Sequence, residues 1–536
     1  MKYRFMPLLV GAWLAASAAT IAVAADAADT DSNTIHFDIN RFDIQGNTLL
    51  SPQSIDSLVA PFTGKHRDFS NVINAQEALE NAYHARGYQL VRVDLPEQEL
   101  DQGVIRLNVV QIKIGRVKIE GNKYFNDANI RHSLPDLNEW QVPNMQNISK
   151  SLKLANENPS KKTIMTMQTG AQDDEVDATL AISDESTWTA SANFDNTGNQ
   201  QTGKTHAGVV LQNANMFGMD DVLSLQYTTT VEKPSQVKVY GAGYHMPLYS
   251  LGDSMDFFAN YSSVDSGTLT VGSVSTGTLD VAVTGNGAMY GMRYNQNLPT
   301  SGSYESKLIY GIDYKAYKSS EMIFGTDFGN SITVHPISAT YQGNSYQDKR
   351  NLNGAVTLLH NIPGGQRGGQ SDFTAARAGA ADDYNALRFS ASAMQVLPAA
   401  WQVRAIINGQ YTTDALVAGE QFGAGGASSV RGFEEREVSN DSGVVGNFEV
   451  YTPPLCKNAN WQCRMLAFYD TAYTKHNHGL QGEPNQISIS SIGVGMRLAY
   501  GKSVDFQMDY GHVLHAESTL TQTGDNRLHV RLGLNF

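Results

Sequence analysis

Val430, Arg431, Gly432 and Phe433 place a permanent cation between a flexible glycine and two apolar side chains, at the end of the Gly/Ser-rich run 423–429. Alone, an arginine beside a glycine in such a loop is a solvated turn. Here, however, segments of alternating polarity flank the loop on both sides, and a loop between late strands of a barrel can fold back into the lumen. Inside, an unpaired charge is costly, so Arg431 requires an anion. Alternation in Phe468-Tyr469-Asp470 puts Phe468 and Asp470 on one face and Tyr469 on the other. Asp470 is therefore the expected partner, with Glu449, between Phe448 and Val450, second. Gly432 would let the backbone press against the wall, and Phe433 would pack beside it. The chemistry is the charge-assisted pinning of a loop.

Reactions find little support. The chain has no Gly-x-Ser-x-Gly elbow, no His-Glu-x-x-His and no clustered carboxylates outside the alternating strands. Gly423-Ala424-Gly425-Gly426 lacks the lysine and the following helix of a phosphate loop. No enzyme activity, cofactor or catalytic site is expected. Cys456 and Cys463 are the two cysteines; with no other Cys or His clustered nearby, a local disulfide is expected and a metal site is not. A formal net charge of −14 argues against a nucleic-acid partner.

The elements that position these residues begin after a leader. Lys2 and Arg4, an apolar stretch over 8–23 and Ala22-Val23-Ala24 read as a secretory signal over 1–24. Next comes a repeat with a 75-residue offset: Phe42-Asp43-Ile44-Gln45-Gly46-Asn47 is echoed by Val117-Lys118-Ile119-Glu120-Gly121-Asn122. Each copy, 35–111 and 112–183, reads strand, Gly-Asn turn, helix, helix, strand, strand, which is a small α+β domain. In the first copy a strand is expected over 37–44, a helix capped by Ser51 over 51–62 and a second helix over 71–85. In the second copy a helix is expected over 144–157, with strands over 162–169 and 175–182.

From Thr187 the period changes from 3.6 to 2. About sixteen alternating segments over 187–536 are joined by connections that alternate short (216–221, 298–302, 397–400, 501–503) and long (263–284, 361–383, 412–441). That rhythm predicts a 16-stranded antiparallel transmembrane β-barrel with periplasmic turns and external loops. The last strand, 528–536, is apolar at every even position and ends on Phe536, an interfacial aromatic. Mean hydropathy of −0.32 fits strands that face lipid with every second residue. The Arg431 loop, 412–441, falls outside, between the eleventh and twelfth strands; the cysteine pair falls in a periplasmic turn.

In that order, the motifs resemble the TpsB transporters of two-partner secretion, within the Omp85 superfamily. The resemblance rests on the paired Gly46-Asn47 and Gly121-Asn122 turns, on Leu95-Pro96-Glu97-Gln98 and on Leu154-Ala155-Asn156-Glu157-Asn158-Pro159. It rests also on Asn193-Phe194-Asp195-Asn196-Thr197-Gly198 with Thr202-Gly203, on Asn213-Ala214-Asn215-Met216-Phe217-Gly218, and on Val430–Phe433 with Phe468-Tyr469-Asp470. It implies two periplasmic POTRA domains before an outer-membrane barrel. It further implies a large secreted TpsA-type exoprotein as partner, export without nucleotide hydrolysis, and Asp470 as the inward aspartate. Other implied partners are outer-membrane lipid and the barrel-assembly machinery that inserts the chain. One departure stands out. About ten residues separate Ala24 from the first strand, too few for the plug helix and linker of many members, so the inward loop alone is expected to close a pore of high resting conductance.

Two other classes compete. An assembly factor of the same superfamily would share the inward arginine but carry three or more POTRA domains. A passive porin would need no capture domains.

Overall fold

The computed structural model describes residues 35–99, 102–200, 202–264, 268–271, 281–284, 286–318, 322–323, 326–327, 330–479 and 484–536. The leader over 1–24 lies outside them, as does part of the loop 263–284. The chain divides into two compact units, one holding the residues up to Asn81 with Val93–Val109, the other Ala82–Arg92 with Val110–Phe536.

In the first repeat, strand Arg41–Gln45 pairs in parallel with Val104–Gln111, whose other neighbour is Val91–Asp94. The single strand expected over 37–44 is in fact two. Asn40 donates its backbone N–H to Gly103 O at 2.8 Å, and Phe37–Ile39 leaves the sheet to pair with Gly64–Arg67. The strand Gly64–Arg67 is all polar or Gly, so no apolar alternation announces it. Ser51 caps helix Pro52–Val59, which tightens into a 3-10 turn over Ala60–Phe62. Ile39, Val72 and Ile105 form its core.

The second repeat has the sheet order Lys113–Glu120, Glu175–Asp184, Lys161–Thr169. Helices Asp127–His132 and Met145–Ala155 cover it over a core that includes Phe125, Ile130, Ile148 and Leu180. The Gly-Asn signature has the same physical cause in both copies. Gly46 and Gly121 have φ of +78° and +90°, and a Cβ would lie 2.4 Å from Val109 O and Ile182 O respectively. Only glycine fits a left-handed turn pressed against the neighbouring parallel strand. The asparagine then closes the turn: Asn47 Nδ2 donates to Leu50 O and Asn122 Nδ2 to Phe125 O, both at 2.8 Å.

Among the described residues sixteen antiparallel strands close into a barrel, counting Ile332–Val334 and Pro336–Gln347 as one strand interrupted at His335. The first, Trp188–Asp195, meets the last, Asn526–Asn535, in register from Asp195–Arg531 to Ser191–Asn535. Phe536 extends the seam by donating its N–H to Ala190 O at 2.8 Å, leaving its ring exposed. Alternation sorts the faces. Val356 and Leu358 stand out toward lipid while Leu359 is buried inward.

The second repeat is fastened to the periplasmic rim, and two of the motifs named above make the joint. Asn158 Nδ2 donates to Ala214 O at 2.7 Å, and Asn129 Nδ2 to Gly218 O at 2.8 Å. Leu154 and Ala155 pack on Tyr249. At the centre Lys161 Nζ donates to Asp220 Oδ2 at 2.6 Å, and Tyr249 Oη donates to the same oxygen. Both ions are essentially inaccessible to water. Burial pulls the Lys161 ammonium below the usual lysine range, against the pull of Asp220.

Candidate functional site: an inward loop with two ionic feet

The loop 412–441 joins the eleventh strand, Gln402–Tyr411, to the twelfth, Ser442–Tyr451. It turns into the lumen and carries a short hairpin of Phe422–Ala424 with Val438–Asn440. The tip, Val430–Phe433, lies beyond it. Val430 and Phe433 are fully buried with Ala424, Val438, Val445, Ala472, Ile489 and Val513, an apolar cluster joining the tip to the wall.

Arg431 is 3% exposed and Asp470 fully buried. Asp470 sits on the thirteenth strand, Trp461–Lys475, opposite Asn447. Its carboxylate takes three donors from one loop residue: Arg431 Nε at 2.7 Å, Nη2 at 2.8 Å and backbone N at 3.1 Å. Asn447 Nδ2 adds a fourth at 2.8 Å. The remaining guanidinium nitrogen, Nη1, meets Glu449 Oε1 at 2.9 Å and Asp509 Oδ1 at 3.7 Å. Phe468 lies flat beneath the cation, 3.5 Å from ring centroid to Cζ. The fork of a guanidinium can serve two carboxylates in one plane; an ammonium cannot. Asp470 and Glu449, expected from sequence as first and second alternatives, are both engaged at once. Phe468 lies against the cation, and Phe433 packs on the wall beside it with Val445, Ala472, Ile489 and Val513.

Gly432 has φ of +101°, and a Cβ there would lie 3.2 Å from Val513 Cγ2. Its N–H donates to His529 Nε2 at 3.0 Å. Asp509 and His529 are the residues sequence reading left out. Both have the inward parity of their strands, Val504–Ala516 and Asn526–Asn535, but nothing in the sequence shows how far across the lumen the tip reaches.

A second foot stands farther back in the same loop. Glu420, 1% exposed, accepts from Lys315 Nζ at 2.8 Å and Tyr317 Oη at 2.7 Å through Oε1, and from Arg388 Nη2 at 3.1 Å through Oε2. Lys315 and Tyr317 belong to the seventh strand, Tyr304–Lys318, and Arg388 to the tenth, Asn385–Val396. The loop therefore gives a cation to an anionic wall at one end and an anion to a cationic wall at the other. At the loop's base, buried Asp441 pairs with Arg377 from the loop 362–384 and accepts from Leu416 N at 2.8 Å. Phe373, in the short helix of that second loop, packs with Ile332, Val334, Leu359, Leu416 and Val417. Val334 and Ile332 stand opposite Lys315 and Tyr317 and share their lumen face, so this apolar cluster lies on the lumen side near the outer end.

Cys456 and Cys463 form a disulfide, with Cys456 in the turn and Cys463 just inside the thirteenth strand. Among the described residues no group of three or more His, Cys, Asp or Glu could hold a metal ion.

The family model for haemolysin secretion/activation protein ShlB/FhaC/HecB matches residues 175–498. The chain belongs to that family. A model for the ShlB-type POTRA domain matches 37–111. The chain is 24% identical over 455 residues to the outer membrane transporter CdiB of Dickeya dadantii, covering 80% of this chain and 73% of that one. It is 20% identical over 471 residues to the heme/hemopexin transporter protein HuxB of Haemophilus influenzae, covering 85% and 79%. CdiB from Escherichia coli shares its fold, with a TM-score of 0.70, 19% identity and coverage of 95% and 92%. As a member of this haemolysin secretion/activation family, the chain is an Omp85-superfamily outer-membrane transporter for large exoproteins, with POTRA domains in the periplasm, and not an enzyme.

Proposed function

We propose that this transporter captures an unfolded TpsA-type exoprotein on residues 35–183 and passes it outward through the lumen, past the loop 412–441. The second POTRA domain carries the reading. Its sheet has two edges. One, Lys113–Glu120, is occupied: Trp140 N donates to Ile114 O at 2.7 Å, and Val117 N donates to Glu139 Oε1 at 3.1 Å. The other, Lys161–Thr169, is covered among the described residues only by Asn156, which brackets Thr163. Ile164 stands 65% exposed on that strand. An extended peptide adds to such an edge through main-chain hydrogen bonds. The strand starts at Lys161, the residue locked to Asp220 on the barrel rim. A peptide paired along it is thereby led to the periplasmic mouth.

Photo-crosslinkers at Thr166 and at Lys118 test the edge assignment. The exoprotein's secretion segment should cross-link at Thr166 several-fold more than at Lys118; the reverse would defeat it. Deleting 35–111 while the barrel remains in the membrane should abolish export. Undiminished export would mean that the repeat is not a capture device.

A further inference from the structure

We infer that Lys315 and Arg388 form a carboxylate-binding site on the lumen wall, occupied at rest by the chain's own Glu420 and taken over by acidic side chains of the passing polypeptide. This deepens the export reading above and rests on it. The site is built. Arg388 is oriented by Gln410, whose Oε1 accepts from Nε at 2.7 Å, and Gln410 Nε2 returns to Glu420 O at 3.0 Å. A third cation, Arg436, lines the same cavity of about 380 Å³. Among the described residues it has no carboxylate partner: its Nη2 meets Gln421 O at 3.0 Å, and its Nε, buried, has no acceptor. Of the other charged side chains on that cavity, Arg293 and Asp313 are paired with each other and Asp256 with His245, so among the described residues Arg436 is the cation there that stands without a carboxylate beside the Lys315–Arg388–Glu420 group.

The energetics favour exchange over simple release. Lifting Glu420 off the wall would leave the buried Lys315 and the partly exposed Arg388 without their carboxylate, which is costly for the buried cation. A carboxylate that arrives as Glu420 leaves keeps both wall cations paired while Glu420 passes into the wet lumen, so the cost at the wall is avoided. The opposite foot cannot work this way for an acidic segment. Arg431 sits among Asp470, Glu449 and Asp509, and Arg497 pairs with Asp509 at 2.8 Å through both nitrogens. Arg404 also meets Glu449, at 3.6 Å, so every cation there already has a carboxylate and an arriving one finds no partner to take over. The loop therefore swings on Arg431 and lets go at Glu420.

The test uses the purified full-length protein and oligoglutamate, with oligolysine of equal length as control. The native cysteines are tied to each other, so Val417→Cys, 2% exposed three residues before Glu420, supplies one reporter thiol. In planar bilayers oligoglutamate should lengthen channel openings several-fold and oligolysine should not; maleimide labelling at position 417 should accelerate in parallel. Glu420→Gln should be open at rest and deaf to the peptide, and Lys315→Gln/Arg388→Gln should lose the response. Equal action of the two peptides, or an unchanged response in the double variant, would overturn the site. Variants are compared only where heat-modifiable migration shows a folded barrel; if Lys315→Gln/Arg388→Gln does not fold, the peptide comparison on otherwise wild-type Val417→Cys decides. Neither readout involves exoprotein, so the site can fail while export stands, and the reverse.

Discussion

At Arg431 one guanidinium satisfies two carboxylates and a ring face, so its loss strands charge in several directions. Removing one partner of a buried pair costs about 3–5 kcal/mol, and the cation–π contact adds roughly 2 kcal/mol in a desolvated site. Arg431→Ala and Asp470→Ala should each cut secretion at least tenfold while leaving heat-modifiable barrel migration intact. The double variant should be little worse than either, because both remove one interaction. Arg431→Lys should resemble Arg431→Ala, since an ammonium cannot hold Asp470 and Glu449 together. Normal secretion from Arg431→Lys would show that the fork geometry is irrelevant. Much of this site was legible beforehand, because strand parity alone fixes which of Phe468, Tyr469 and Asp470 faces inward. Glu420 was not. It sits in a loop without period, and its partners Lys315 and Arg388 lie 105 and 32 residues upstream.

The Gly-Asn repeats act at the level of the element. Gly121→Ala places a methyl 2.4 Å from Ile182 O at a φ of +90° and should cost about 2 kcal/mol or more. Asp184 reinforces the same turn by accepting from the N–H groups of Lys123, Tyr124 and Phe125. Burial raises its carboxyl, but those hydrogen bonds outweigh it and hold its pKa below the ordinary aspartate value. A depressed folded pKa means that the contribution is present above the ordinary value and lost as pH falls through the folded one. The second POTRA domain should therefore melt more easily in acid, and Asp184→Asn should flatten that dependence in calorimetry of the full protein. A pH profile unchanged by Asp184→Asn would contradict the assignment. The disulfide closes a short loop, worth at most about 3 kcal/mol, so Cys456→Ser/Cys463→Ser should secrete nearly normally. Elements with a strong period were readable from sequence; strand Gly64–Arg67 and the break at Asn40 were not, since both follow from main-chain partners distant in sequence.

For the whole molecule, sequence reading expects a leaky pore because it finds no room for a plug helix. The inward loops argue the other way, for Phe373, Leu416 and Val417 pack together on the lumen side and Arg377 ties the two loops together. Resting conductance in planar bilayers should be low, and Arg377→Ala should raise it. The central claim is that the exoprotein travels inside the barrel. Ser390 and Ala391 are adjacent on the tenth strand and both exposed; Ser390 shares the lumen face of Arg388, and Ala391 faces lipid opposite Ile407. A photo-crosslinker is placed at each, and export is arrested by a folded domain fused to the exoprotein. Cross-linking to the stalled chain at position 390 and not at 391 is the predicted result; equal cross-linking at both, or capture at 391 alone, would contradict passage through the lumen.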